Sequence, residues 1–406
     1  MINYFADDER STPINAAIAR VIVCLFIIWK LFKYQWSTYP LWPAPMYDVL
    51  PIFRHRLLFS YIEWVVLFCA VLVLCVLVGY RLQVTAWASA VVITYLGTVR
   101  YAFQISHTSG ILFTTALFLI LFTIFEDEQK ISIDQLRKTR TWELDSLTSH
   151  LETRTGNFRH RGLRWSLVVI GFFYFQAGFS KIVHGDPIAW IQPASLGRYI
   201  LYRMGDESGR FVGEFLLQYP SLLTVAATLT ILLEVTFLLA IVLKKPVWPF
   251  FIGVIGMHIA IMYSVGPDFT DQMMLLTVFI PWDTILKKIQ TTEELVIVYD
   301  RHCFFCARSL HLFRYLDISG TVTYHNQYTV PETLEDEDLD FEEAMYAFQG
   351  QQSYRGYHAF RTLFRQFGIY PIAIVMTLPV VVYVGERVYQ HIADNRSRYF
   401  VCSAET

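Results

Sequence analysis

Charge is what this chain is short of. Of its 406 residues only 17% are Asp, Glu, Lys or Arg, against about 25% in ordinary soluble domains, and that deficit points to lipid. The charges that remain nearly cancel, to a net −2, which argues against a nucleic-acid partner. Cysteine is sparse as well. There are six, and Cys24, Cys69 and Cys75 fall inside apolar runs, so a secreted disulfide scaffold is excluded. A cleavable signal peptide is not in evidence: the first apolar run begins only at Ile14, is long enough to span, and lacks a small-residue cleavage site. A second C-x-x-C is missing too, which weakens a four-ligand metal site.

What is present is apolar surface. Hydrophobic residues make up 54% of the chain, and the mean hydropathy is +0.39. Runs of the length that crosses a bilayer, about 17–25 residues, recur at Ile14–Phe32, Leu57–Gly79, Val84–Phe103, His107–Phe125, Leu163–Ile182, Leu222–Leu243, Trp248–Val265 and Asp271–Lys288. The last is interrupted by Pro281 and contains Asp283. The fold class expected is therefore a polytopic α-helical membrane protein of about eight transmembrane helices, followed by a C-terminal α/β domain. Residues 1–290 form the multi-span part and 291–406 the soluble part. Glu126–Gly162, rich in charge, reads as a solvated loop with one amphipathic helix.

Arg81, the Lys130–Arg164 loop, Lys244–Lys245 and Lys287–Lys288 fall on one side if the spans alternate. That side is expected to be cytoplasmic. It holds the N-terminus and, with an even number of spans, the C-terminal domain. The lipid bilayer is the first partner.

From Glu294 the pattern changes. LVIVYD is a β-branched run, Cys303–Leu316 has helical spacing, and VTYHN is a second strand. After the acidic stretch Glu332–Glu343, AMYAF and QQSYRGY read as a hairpin around Gly350. Tyr357–Phe367 and Gly385–Arg398 are helices. Ile372–Val384 is too short to span and contains Pro379, so it is expected as a buried or interfacial helix.

VIVYDRHCFFCARSL sets C-x-x-C directly after a strand and at the start of a helix. Free N–H groups and the helix dipole at such a terminus stabilise a thiolate. Cys303 is thus the expected attacking thiol, exposed at the head of the helix, and Cys306 the resolving one. Half a zinc site completed by His302, His311 or Cys402 is the competing reading, and an inert packed pair is another.

Together with YDRHCFFC, the segments AMYAFQG, YRGYHAFRTLFR and GERVYQHIADNRSRYF make Leu295–Cys402 resemble the DCC family of thioredoxin-like thiol–disulfide oxidoreductases. The resemblance implies redox-active cysteines and a thioredoxin-like or peptide partner. Arg301 stands where the family usually has glycine, and a fixed positive charge there is expected to favour the Cys303 thiolate.

Ionisable groups inside apolar spans are costly and mark interior sites. Glu63, Arg100, His107, Lys181 and His258 are expected toward the outer half of the bundle and Glu234 nearer its middle. Each has a plainer explanation as well, such as snorkelling for Lys181 or a satisfied core position for His258. YFQAGFSKIVHGDPIAWIQPASLGRYI resembles a segment of the vitamin K-dependent γ-carboxylase and its HTTM relatives. FQISHTSGILF, LLEVTFLL and MHIAIMYSVGPDFTDQMMLL extend the likeness. It implies Lys181 as a base toward a reduced quinone, with His107 assisting. Glu63, Arg100, His258 and Glu234 are the expected cofactor-binding groups, and a vitamin K-like quinone the expected cofactor or, failing that, a lipid substrate. Ser180 replaces the first lysine of the family's Lys-Lys pair, and the family's large lumenal domain has no counterpart.

Three functions follow as expectations. The first is a membrane thiol–disulfide oxidoreductase whose membrane part binds a quinone or lipid. The second is a carboxylase-like modifying enzyme with Lys181 as base. The third is a non-catalytic transporter or scaffold.

Overall fold

The computed structural model describes residues 12–36, 61–103, 111–125, 131–138, 160–183, 186–203, 210–300, 303–331, 334, 339–341 and 343–399. Their contacts divide into two compact units. One comprises the described residues of Ala16–Gln129 and Arg159–Ile280, the other those of Arg10–Asn15, Lys130–Phe158 and Pro281–Thr406.

The first unit is helical. Its apolar runs become α1 (Ile14–Lys33), α2 (Ile62–Val78), α3 (Leu82–Phe103) and α4 (Ile111–Ile124). The short α5 (Ile133–Lys138), within the charged Glu126–Gly162 stretch, falls in the second unit. The helices of the first unit continue as α6 (Arg161–Val183), α7 (Pro187–Ile191), α8 (Pro193–Arg203), α9 (Arg210–Gln218), α10 (Pro220–Val242) and α11 (Trp248–Val265). Punctuation follows backbone chemistry. Pro220 opens α10 at a position whose N–H has no partner in the helix, and Gly79 and Gly266 close α2 and α11 in the left-handed region.

Among the described residues five helices, α1, α3, α6, α10 and α11, are long and apolar enough to cross a membrane, and α2 and α4 are shorter apolar helices. Their outward faces stay apolar, as at Phe172, Val225, Leu229, Leu232 and Ile252. That is the distribution lipid contact requires, because the solvent around such a bundle is itself apolar.

The expected eighth span is corrected. Asp271–Lys288 is not one helix. It breaks into α12 (Thr270–Leu276), a single 3₁₀ turn at Thr277–Phe279 and α13 (Trp282–Ile289). Pro281 is the cause: it has no N–H to donate, its ring excludes a helical carbonyl four residues back, and it drives the preceding residue out of the helical region. Ile280 is accordingly extended, at ψ 137°. The even count of spans, on which the side of the C-terminal domain depended, loses its last member.

The second unit is built on a mixed four-stranded sheet. Strand β1 (Leu295–Tyr299) pairs parallel with β2 (Val322–Asn326) and antiparallel with β3 (Tyr346–Gln349), which turns through Gly350 into β4 (Gln352–Arg355), giving the order β2-β1-β3-β4. Helix α14 (Phe304–Phe313) joins β1 to β2, and α15 (Tyr357–Gln366), α16 (Tyr370–Val375) and α17 (Pro379–Tyr399) follow the hairpin.

β1 lacks alternation because both its faces are covered. Leu295, Ile297 and Tyr299 pack with Leu310, Val322, Leu363 and Phe367. Val298 packs on the opposite face with Ala344, Tyr346 and Phe348, and Tyr389 adjoins that cluster. Buried amides tie the end of the sheet. Gln290 donates to the carbonyls of Leu316 and Phe367, and Gln366 donates to the Glu293 carbonyl and to Thr321. Each such bond keeps a buried polar group satisfied.

For Ile372–Val384, expected as a buried or interfacial helix, the structure contradicts the buried alternative. It is divided between α16 and α17, with Pro379 as the first residue of α17, and it is not buried: Ile374 is 63% and Val380 74% exposed.

Candidate functional site

Two places in the molecule gather chemistry. The first is the thiol pair. Cys303 sits at the N-cap of α14, where the last strand residue Tyr299 hands over to the helix through a turn closed by the Cys303 N–H to the Asp300 carbonyl, 3.0 Å. Its Sγ accepts the Cys306 backbone N–H at 3.3 Å. A sulfur in that position receives one of the helix's otherwise unpaired donors, which stabilises negative charge on it. Cys303 and Cys306 are joined as a disulfide with Cα atoms 5.4 Å apart.

Exposure is corrected here. Cys303 is 1% and Cys306 6% exposed, where the sequence led us to expect an open nucleophile. A closed disulfide is a small apolar group, and the N-cap geometry turns Cys303 into the first turn of α14 rather than outward. Both sulfurs are spent in the S–S bond, so in this state neither is a thiolate ligand for a metal. Arg301, His302 and Cys402 lie outside the described residues, as does the side chain of His311.

Sequence reasoning gave no role to Asp300 or Gln327. Asp300 is buried, and its Oδ1 accepts from Gln327 Nε2 at 3.2 Å, which fixes the turn ahead of Cys303 to the end of β2. The Tyr-Asp pair before the C-x-x-C was the available signal.

The second place is a cavity of about 270 Å³ in the helical unit, open on the side where exposed Phe173 and Ala177 line it. Thr114, Tyr174, Glu234, His258 and Gln272 supply polar atoms to its wall, and the remainder, including Ile170, Phe269 and Leu275, is apolar. Its construction begins with two glycines. A Cβ on Gly178 would stand 2.8 Å from Glu234 Cβ and 2.9 Å from Val235 Cγ2, and one on Gly171 would stand 2.6 Å from Ile241 Cδ1. Seven residues apart, these glycines share one face of α6 and let it lie directly against α10, as small residues do between membrane helices.

The close approach brings Lys181 to Glu234, Nζ to Oε2 at 2.6 Å. The Lys181 side chain is 18% exposed and faces the pair and the Trp190 ring, 5.2 Å away, so it does not simply snorkel outward. Across the cavity Tyr174 and His258 form a second pair, Oη to Nε2 at 2.7 Å, and Phe269 stacks on the imidazole at 4.6 Å between centroids.

The structure therefore brings together three of the six polar residues singled out from the sequence: Lys181, Glu234 and His258. Lys181 itself is not part of the cavity wall and reaches it through Glu234. Two others lie elsewhere. Glu63 borders a separate hollow with Leu31, Tyr34, Gln35 and Trp36, and the Arg100 guanidinium lies 3.6 Å over the Tyr34 ring. The single outer cluster expected from helix ends is replaced by this division, because helix packing rather than depth decides which side chains meet. His107 lies outside the described residues. Tyr174 and Gln272 were missed. Tyr174 precedes Lys181 by seven residues, two helical turns on the same face as Gly178, and that spacing was the signal that could have found it.

No curated protein and no solved structure gives a significant match to the chain. A family model does: residues 297–402, from the middle of β1 through the Cys303–Cys306 pair to the segment beyond α17, match the DCC1-like thiol-disulfide oxidoreductases.

Proposed function

We propose that the protein is a membrane-embedded thiol–disulfide oxidoreductase. The observation that carries the reading is the Cys306 N–H directed at Cys303 Sγ at the head of a helix leaving the central strand. The strand order, a parallel β-α-β unit extended by an antiparallel hairpin, supports a thioredoxin-like fold for the domain, and the family match supports its chemistry.

In the closed state the pair accepts two electrons. A partner thiolate attacks Cys303 Sγ, and the S–S bond breaks toward Cys306, whose sulfur takes a proton. A second thiol of the partner then attacks the mixed disulfide, and Cys303 leaves as a thiolate held by the helix terminus. The partner dithiol becomes a disulfide and the Cys303–Cys306 pair a dithiol.

Burial of the two cysteines favours one other reading, an inert covalent staple. Equilibrating the folded full chain with a thiol buffer separates the two. An exchange pair opens and closes with the buffer, whereas a staple stays oxidised until the chain unfolds.

For the helical unit, the cavity supports a small apolar ligand with a polar head, a quinone or a lipid. Lys181, paired with Glu234 at the edge of the pocket, supports the reading of the lysine as the base toward a reduced quinone. A short-chain benzoquinone should therefore raise the Tm of the full chain, by about 2.7 kcal/mol of stabilisation at a hundredfold excess over Kd. Ala177→Trp, which fills the cavity, should remove the shift. A shift unchanged by Ala177→Trp would show that the quinone binds elsewhere. On the side facing the cytoplasm we place Arg81 and Lys244–Lys245, because cations near span ends favour that side; with α11 as the last span, Lys287–Lys288 no longer share it by alternation.

A further inference from the structure

The C-terminal unit carries an apolar surface that no part of the thiol chemistry uses. It starts on α13, where Ile285 and Ile289, one helical turn apart, are both exposed. The α13 sequence is strongly amphipathic: buried Asp283 faces inward, with its N–H donated to Asn15 Oδ1 at 2.9 Å. Lys287 and Lys288 are exposed beside the isoleucines. The surface continues onto α16, because the Tyr370 hydroxyl donates to the Ile289 carbonyl at 3.0 Å. It ends on the first turns of α17, where Val380 is 74% exposed and Tyr383 and Val384 are more than half exposed. Beyond Gly385 the same helix turns polar, with Glu386 held by His358 at 2.9 Å and the Arg387 guanidinium over the Tyr383 ring.

An exposed aliphatic surface with an aromatic rim and adjacent lysines matches the pattern of segments that lie in a membrane interface. Connectivity argues for the occupant. Ile280 closes the helical unit, and α13, eight residues long and about 12 Å from end to end, begins after Pro281 with no linker. The last helix long enough to cross a bilayer, α11, ends at Val265, and the chain from Gly266 to Ile280 stays in the helical unit as α12 and the 3₁₀ turn, so only a short tether separates α13 from a crossing helix. The adjacent charges are cationic, as anionic headgroups require.

We propose that α13, α16 and the first two turns of α17 rest on the surface of an anionic bilayer, their aliphatic side chains among the lipid chains and Lys287 and Lys288 at the headgroups. The inference rests on the membrane reading of the helical unit and not on the thiols.

Photocrosslinking tests it in the full chain reconstituted into phosphatidylcholine–phosphatidylserine vesicles. Benzoylphenylalanine replaces Val380, Gln390 or Leu229 in separate variants. Leu229, exposed on α10, reports the membrane reading itself, and Gln390, on the polar half of α17, is the aqueous control. The inference expects lipid adducts at positions 380 and 229 and none at 390. It also expects a several-fold fall in adducts at 380 when Lys287→Glu and Lys288→Glu are introduced. Adducts at 229 alone overturn the inference and leave the membrane reading standing. Absence of adducts at both positions overturns both. A crosslink from 380 to a second copy, or to another segment of the same chain, replaces the bilayer with that occupant and overturns the proposal.

Discussion

Cys306→Ser should accumulate a mixed disulfide at Cys303 when the full chain is incubated with glutathione disulfide, and Cys303→Ser should accumulate almost none at Cys306. The asymmetry comes from position. Cys303 Sγ accepts a helix-terminal N–H, so its thiolate is the better populated of the two and the faster to attack. Cys306, one turn into α14, supplies that N–H from its own backbone, so the bond serves the Cys303 sulfur and not its own. In the wild-type chain the second sulfur resolves the adduct, so neither glutathione nor a natural partner stays attached. The effect is all or none for the trapped species and is read as an intact mass or on a non-reducing gel. Equal trapping at both cysteines would mean that the helix terminus confers no difference. Trapping confined to Cys306 would reverse the assignment of attacking and resolving thiols.

The second large effect is on stability. Lys30 and Asp271 form an ion pair linking α1 to α12, with both side chains 3% exposed. Three aromatic rings surround the ammonium, with Trp29 nearest at 4.5 Å from its centroid, so the charge is enclosed as well as paired. Lys30→Met strands the carboxylate in this setting and should cost about 3–5 kcal/mol, the range for breaking one side of a buried pair. The double variant Lys30→Met with Asp271→Leu should recover most or all of it, because two apolar side chains leave no charge to desolvate. Denaturant unfolding in detergent micelles gives both numbers. The neighbour of Asp271, Gln272, is part of the cavity wall, so the single variant should also shrink the Tm shift proposed for a short-chain benzoquinone. A single variant as stable as the wild type would show that the pair is solvated and contributes nothing.

Some of this architecture was legible in the residues and some was not, for physical reasons. The apolar helices were legible because hydropathy over a span is a one-dimensional property, and α1, α6, α10 and α11 follow the runs that announced them. LVIVY was legible as a strand because it is a β-branched run; that both its faces are covered was a matter of tertiary packing. The hairpin was legible through Gly350, which takes φ 60° in a turn that side chains disfavour. The eighth span was misjudged because its composition is apolar while Pro281 governs its backbone.

The grouping of polar side chains lay beyond sequence reasoning. Glu234 and Lys181 are 53 positions apart, and only the contact of α6 with α10, set by Gly171 and Gly178, makes them neighbours. Depth along a span suggested one cluster, whereas packing produced a cavity on one side and the Arg100–Tyr34 stack on another. Burial of the thiols was hidden for a related reason. An N-cap position fixes the direction of a sulfur, but what covers it is tertiary. The small cysteines of the spans behave as their surroundings suggest, with Cys24 and Cys69 buried and Cys75 partly so.

The central claim is that the Cys303–Cys306 bond opens and closes without unfolding the domain that holds it. Redox equilibration of the full chain, scored by maleimide labelling of freed thiols, measures this directly. The account predicts a midpoint between about −270 and −120 mV, the span of exchange-active pairs, with the fold intact in the reduced form. A midpoint below about −300 mV, where structural disulfides lie, or reduction only as the domain unfolds, would contradict it.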